Sequence, residues 1–382
     1  MNSKEEKIAS FNPNDPATGK NLFGLPFNEE ESDIIVIPVP WEVTVSYRAG
    51  TARAPKAIRE ASKQVDLFDA HVTDAWERGI FMRKADKKIS ERSVELRSRA
   101  VKYFDLMEED EKEANKKLMK IRHEINEGGE WLKDRIKNEM LSVIREQKLP
   151  VLLGGDHSTP LGFFEALAEN NSSFGILQID AHCDLRNAYE GFEYSHASIM
   201  FNALKIPQVS KLVQVGIRDW CDEEMQVIQS SGNRVEVFFD SAMKRRMFEG
   251  IAWKTICLEI VSSLPQLVYI SFDIDGLDPK LCPNTGTPVP GGLEFEQAIY
   301  LIRSVVDSGR KIIGCDLNEV VPGLDDWDAN VAARLLYKMC NLMGKSNSHA
   351  SQAENAARDE AAFTAAQQNI YKREFEDKEQ GD

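Results

Sequence analysis

Apolar residues in this chain gather into short, nearly unbroken runs, and each run is followed by a turn and then by apolar positions at helical spacing. The run at 33–39, Asp-Ile-Ile-Val-Ile-Pro-Val, is rich in β-branched residues and predicts a strand. A glycine-containing turn leads to 55–61, where Pro55 suits a first helical turn because its φ is already fixed. Strand-length runs follow at 149–153, 174–179, 212–217, 235–239, 267–272 and 311–315, with helical patterns between most of them, notably at 161–169 and 295–307. Strands that are apolar on both faces and alternate with helices predict a three-layer α/β/α architecture around a mostly parallel sheet. In such a sheet ligands bind outside the carboxyl ends of the strands.

Between 84 and 147 the pattern changes to Lys, Glu and Arg with Leu and Ile at helical intervals. This predicts long amphipathic helices, longer than one crossover requires, with a solvated or subunit-facing role. After 343 the chain is rich in Ala, Glu, Gln and Lys, so a marginal helix or disorder is expected. The organisation expected is an N-terminal extension (1–31), one catalytic domain (32–342) carrying the helical insertion, and a charged tail (343–382). The formal net charge of -15 argues against a nucleic-acid or anionic-membrane partner and is compatible with a cationic substrate. Residues 1–16 are polar and no stretch reaches membrane-spanning length, so a cytoplasmic location is expected. Six scattered cysteines without a Cys-x-x-Cys pair fit a reducing compartment and offer no thiolate zinc site.

The candidate chemistry arrives in three bursts, each at the end of a strand-like run: His157 in Gly-Gly-Asp-His-Ser, then Asp180, His182 and Asp184, then Asp273 and Asp275. In extended chain alternate side chains share a face, so each Asp-x-His-x-Asp or Asp-x-Asp set projects to one side. Four carboxylates and two imidazoles on one rim would repel and protonate unless cations neutralised them, and two divalent ions are the simplest solution. Oxygen-rich ligation without thiolate suits manganese or nickel better than a structural zinc.

Gly-Gly-Asp-His-Ser at 154–158, Asp-Ala-His-Cys-Asp at 180–184 and Ser-Phe-Asp-Ile-Asp-Gly-Leu-Asp-Pro at 271–279 together resemble the ureohydrolase superfamily, the arginase and agmatinase group. The resemblance covers roughly 34–342 and implies an arginase-like fold, a binuclear metal centre, and hydrolysis of a guanidinium C–N bond with release of urea. It implies that His157 and Asp184 hold one ion, His182 and Asp275 the other, and that Asp180 and Asp273 bridge them. His196, in Tyr-Ser-His-Ala-Ser, resembles the family's proton shuttle, and Glu319, in Asp-Leu-Asn-Glu-Val-Val-Pro, resembles the acid that pairs with the guanidinium. Asp184 stands with these two in the catalytic set. Asp316 reads as structural, and Asp156 and Asp278 as residues that orient ligands or cap turns. The family also implies homo-oligomers, trimers or hexamers.

For the substrate, the first loop (40–53), with Trp41 and Thr51, looks like the guanidine hydrolase branch, and Thr51 joins Glu319, His196 and Trp327 as an expected substrate contact. Asp-Asp-Trp-Asp at 325–328 replaces the agmatinase Gly-Ile-Thr, so Trp327 behind Glu319 is expected to shorten the pocket and hold a planar cation. Free guanidine, nickel, and products urea and ammonia follow from that reading. The alternative is an agmatinase or guanidinobutyrase with manganese; formiminoglutamase and arginase are less favoured. Arg186 could meet a substrate carboxylate or simply pair with Glu190. A metal-bound regulatory protein without catalysis is opposed by the intact ligands together with His196 and Glu319, and histone-deacetylase-like amide hydrolysis is more distant still.

Overall fold

The computed structural model describes residues 3–17, 19–45, 47–107 and 112–348; the expected tail falls outside the described residues from 349 on. Eight strands, β1 Ile34–Pro38, β2 Ile80–Met82, β3 Leu149–Leu153, β4 Phe174–Ile179, β5 Val209–Ile217, β6 Val235–Phe239, β7 Leu267–Asp273 and β8 Lys311–Asn318, form one sheet. Its order is β2-β1-β3-β8-β7-β4-β5-β6, and every pairing is parallel. The helices are α1 Lys4–Ser10, α2 Ala54–Ala61, α3 Lys87–Met107, α4 Lys112–Arg145, α5 Leu161–Asn170, α6 Ile199–Ala203, α7 Asp222–Ser230, α8 Asp240–Phe248, α9 Trp253–Ser262, α10 Phe295–Asp307 and α11 Trp327–Ser346.

Alternation along the strands builds two apolar cores, one on each face. In β1, Ile34 and Val36 enter the core covered by Ile58 of α2, Ile260 of α9, Ile302 of α10 and Leu336 of α11. Ile35 and Ile37 enter the other, covered by Leu96 of α3, Ile136 of α4, Phe163 of α5 and Met200 of α6. The three-layer expectation is met. After β3 the chain skips two sheet positions to β4, continues outward to β6, and returns to fill the gap with β7 and β8. The four central strands therefore come from distant parts of the sequence, and their carboxyl ends face one rim.

Three departures have local causes. The edge strand β2 spans three residues, two of them only half-buried, too short to show any periodicity. β8 runs on to Asn318 because Asp316 and Asn318, polar yet buried, are hydrogen-bonded inside the site. α11 carries buried Met343 and Gly344 and ends at Ser346, so the boundary expected at 343 falls inside a packed helix.

Residues 84–147 are also more than a solvated appendage. Ile89, Ser93, Leu96, Ala100, Tyr103 and Leu106 make a buried stripe on α3 at spacings of three and four, and α4 carries Ile121, Ile125, Leu132, Ile136 and Met140 into the same core. α4 packs on α3, α5 and β3, and so serves as the crossover from β2 to β3. Among the described residues no helix is long and apolar enough to cross a membrane.

Candidate metal centre

The carboxyl ends of β3, β8, β7 and β4, adjacent in the sheet, deliver all the candidate ligands. His157 follows β3, Asp180 to Asp184 follow β4, Asp273 closes β7 with Asp275 in the next turn, and Glu319 follows β8. His157 Nδ1 lies 3.1 Å from Asp180 Oδ2, 3.1 Å from Asp184 Oδ2 and 3.3 Å from Asp273 Oδ2. It is buried and aligned on none of them as a hydrogen bond. A nitrogen aimed between three carboxylates points at a shared centre, as a ligand atom does. His182 Nδ1 lies 3.1 Å from Asp275 Oδ2 and 3.6 Å from Asp180 Oδ1. Two groups able to hold a cation result, His157 with Asp180 and Asp273, and Asp180 with His182 and Asp275. Asp180 belongs to both.

Protonation follows from this crowding. Burial opposes charge on His157, yet the Asp180, Asp184 and Asp273 carboxylates prevail and push its pKa well above the ordinary value. Asp275 and Asp180 do the same for His182 against its burial. Burial and the charge of Asp180 push Asp184 up to about 7, and burial with the charges of Asp275 and Asp180 pushes Asp273 well above the carboxylate range. Asp180 alone is held low, because the two imidazoles outweigh its burial. Protons here supply the positive charge that so much acid requires. Divalent cations supply it better, since every ligand can then ionise.

The backbone shows why these sequences surround the site. A Cβ on Gly155 would sit 1.9 Å from the Trp41 carbonyl oxygen, so the turn after β3 can press against the first loop only as glycine. Asp156 then ties that loop down, its N–H donating to the Trp41 carbonyl (2.9 Å) and its Oδ2 accepting from the Val43 N–H (3.2 Å). Asp184 and Glu319 both adopt left-handed backbone, with φ of 55° and 62°. Such a conformation costs a non-glycine residue about 1–2 kcal/mol and persists only where neighbours hold it. For Glu319 the holders are its N–H on the Gly155 carbonyl (2.8 Å), the Thr285 hydroxyl on its own carbonyl (2.8 Å), and the His157 N–H on its Oε1 (2.8 Å).

The Arginase family pattern matches residues 32–341. The chain belongs to the arginase family. It is similar to the N(1)-aminopropylagmatine ureohydrolase of Thermus thermophilus, 31% identical over 82% of this chain and 92% of the relative. It is also similar to the agmatinase of Halalkalibacterium halodurans, 27% identical over 86% of this chain and 97% of the relative. The crystal structure of the agmatine ureohydrolase of Thermoplasma volcanium shares the fold, with a TM-score of 0.66 at 24% identity, covering 89% of this chain and 98% of that one. This protein is accordingly an arginase-family ureohydrolase, a hydrolase acting on C–N bonds.

Behind the candidate ligands of this ureohydrolase stands a buried relay, of which Asp316 alone stands out in the sequence. His157 Nε2 is 2.9 Å from Ser271 Oγ, whose hydroxyl donates to Asp316 (3.0 Å). With its own proton committed to Asp316, Ser271 accepts from Nε2–H, which leaves the Nδ1 lone pair facing the carboxylates. The residues present therefore fit a metal. Gln178 plays a similar part behind Asp180, donating to Oδ2 (2.7 Å) while accepting from Gln214 (2.6 Å). The only advance signal was polar residues inside apolar strands. Ser271→Ala is expected to weaken metal binding about 10- to 100-fold, the usual effect of removing such a partner; a metal titration giving wild-type affinity would disconnect the relay from the centre.

Among the expected substrate residues, His196 and Glu319 line one cavity of about 80 Å³ with His157, His182, Asp184 and Asp273. Burial, with the charges of His182 and His157, pushes His196 down to about 4, so the ring is neutral at physiological pH. Burial and the charge of Asp156 push Glu319 well above the carboxylate range. Trp327 is elsewhere. It is 47% exposed at the start of α11, its indole N–H donates to the Lys280 carbonyl (3.1 Å), and the cavity wall does not include it. The helix turns it outward, so it shortens no pocket. Thr51 is fully buried with its hydroxyl on Glu42 (3.1 Å), a brace within the first loop rather than a cavity residue. Trp41 is core, tilted against Trp131 with ring centroids 6.5 Å apart. Arg186 lines the cavity without an ion pair to Glu190; its guanidinium sits over the Tyr189 ring at 5.2 Å. Asp278 caps the turn after β7 through the Lys280 N–H. Beyond the residues expected there, the wall carries Trp220 and the acids Asp219 and Glu224.

Proposed function

We propose that this ureohydrolase cleaves the guanidinium C–N bond of a small cationic guanidino amine of the agmatine type, releasing urea and the amine. The observation that carries this reading is the pair of ligand groups joined by Asp180 and opening onto one cavity with Glu319 and His196. In it, His157 and Asp184 would hold one cation and His182 and Asp275 the other, with Asp180 and Asp273 serving both. Manganese would fit this oxygen-rich set, and a pair of such ions would supply the means of activating water for attack near neutral pH.

The chain's own residues do the rest. Glu319, pinned through Oε1 by the His157 N–H and raised in pKa by burial, gives up its proton as the planar guanidinium enters, and the resulting carboxylate orients the carbon and pairs its charge. His196, neutral at rest, takes up the proton released during attack and delivers it to the departing nitrogen. Asp219 on the wall has a side chain 68% exposed and offers a carboxylate to the far ammonium end.

The agmatinase-type relatives support an amine-tailed substrate. The expectation of free guanidine with nickel rests on the first loop and on a pocket shortened by Trp327, and the outward position of that indole removes the second ground. Assembly into a homo-oligomer, trimer or hexamer, belongs to the same reading. Urea release from agmatine, aminopropylagmatine, guanidine and arginine by manganese-loaded and nickel-loaded enzyme is the test. The kcat/KM for an agmatine-type substrate should exceed that for guanidine and arginine by at least about tenfold, roughly 1.4 kcal/mol of discrimination. Faster turnover of guanidine overturns the assignment.

A further inference from the structure

We propose that Arg97 of α3 is a positioning residue for proton transfer: it grips the main chain on both sides of Thr44 and so sets the Thr44 hydroxyl against Nδ1 of His196. The inference rests on the reading of His196 as the proton carrier. A single guanidinium nitrogen, Arg97 Nη1, donates to the carbonyls of both Val43 (3.1 Å) and Val45, the two residues that flank Thr44. One turn earlier on the same helix, Ser93 Oγ accepts from the Glu42 N–H (2.8 Å). From the sheet side, Asp156 accepts from the Val43 N–H (3.2 Å). Residues 42–45 have no helix or strand of their own, so these side chains are what define their path.

Thr44 is buried, and its hydroxyl lies 3.4 Å from His196 Nδ1. Ser195, also buried, brings a second hydroxyl to the same nitrogen at 3.4 Å. With both hydroxyls on Nδ1, the ring nitrogen left for the cavity is Nε2. That is the atom that must reach the leaving group, and the partner of the other nitrogen decides its protonation and aim.

The same helical hairpin also holds the loop that carries His196. The Tyr103 hydroxyl of α3 donates to the Glu190 carbonyl (2.9 Å), and Asn126 of α4 accepts from the Glu193 N–H (3.0 Å). Tyr103 packs on Phe192 with ring centroids 4.8 Å apart, and Tyr189 meets His196 edge to face at 5.9 Å. Both sides of the imidazole are thus referenced to one rigid pair of helices. Small displacements of a proton-transfer group cost rate steeply, which gives such a brace a catalytic consequence.

The experiment is a set of double-mutant cycles with His196→Ala, using Thr44→Val, which keeps shape and deletes the hydroxyl, and Arg97→Met, which keeps the stem and deletes the donors. Each variant alone should lower kcat about tenfold with KM within about twofold, a fraction of the 10²–10⁴ that acid–base catalysis supplies. Both should shift the His196 ring ¹⁵N resonances, and Arg97→Lys should recover part of the loss. In the His196→Ala background neither should lower kcat further. Full additivity there, or unchanged ring resonances in Thr44→Val, overturns the brace while leaving the proton-carrier reading intact. Wild-type turnover by His196→Ala itself overturns that reading, and the brace with it.

Discussion

Asp180→Ala is expected to empty both halves of the centre at once and to lower turnover by roughly 1,000-fold or more, the equivalent of about 4 kcal/mol of transition-state stabilisation. Asp180 is the one residue common to the two groups, with Oδ2 3.1 Å from the His157 imidazole and Oδ1 3.6 Å from that of His182. Its orientation is set twice over, by the Gln178 amide on Oδ2 (2.7 Å) and the His182 N–H on Oδ1 (2.6 Å). Removing a partner behind a ligand weakens metal binding about 10- to 100-fold, so removing a ligand from both positions should exceed that range. Elemental analysis beside a urea assay measures both. Full metal content with normal kcat would refute the shared role.

The second large effect concerns the metal-free protein, which should become less stable as pH rises from about 5 to 9. The folded state holds Asp184 at about 7 and Asp273 well above the usual carboxylate value of 3.8, chiefly through burial, so each retains a proton that the unfolded chain gives up. His157 and His182, raised above 6.5 by their carboxylate neighbours, contribute stability that is complete below 6.5 and is lost as pH climbs through their folded values. Asp156 and Asp316, both pushed up to about 6 mainly by burial, act in the same direction. Asp180, held low by the two imidazoles, and His196, pushed down to about 4 by burial, act in the opposite direction, but their contributions are complete above 3.8 and above 6.5 respectively and cannot offset the decline from neutrality upward. More protons bound in the folded state means stability falling with pH.

Metal reverses the slope. Cations displace those protons, so metal affinity rises with pH, and at roughly 1,000-fold excess over Kd binding adds about 4 kcal/mol. Thermal melts between pH 5.5 and 8.5, with chelator and with manganese, separate the two curves. A chelated protein whose melting temperature held steady or rose over that range would contradict the protonation scheme.

Much of this was legible in the chain. β4 and β7 read as strands because every residue between Phe174 and Ile179, and all but the first of Leu267–Asp273, is buried, so their runs are apolar except for Gln178 in one and Ser271 in the other until the ligands begin. The ligands read as ligands because acids and imidazoles on alternate residues at a strand end share a face, a property of local geometry alone. Asp316 read as structural, but its link to Ser271 escaped notice because a serine two residues before an acid is common, and only the pairing of β7 with β8 sets the two side by side. Trp327 misled for a related reason: eight residues after Glu319 in sequence says nothing of direction, and the first turn of α11 carries the indole away from the cavity.

The chain alone, then, determined the layered α/β architecture, the six candidate ligands and the type of chemistry, since strand alternation and side-chain functionality are properties of neighbours in sequence. Tertiary structure decided the rest: that four strands of distant origin lie together at the centre of the sheet, that Asp180 belongs to both ligand groups, that residues 84–147 hold the loops around His196, and that Trp220 and Asp219 rather than Trp327 and Thr51 line the cavity. Each of these depends on which loops meet, and that is set by strand order and helix packing over separations no local pattern encodes.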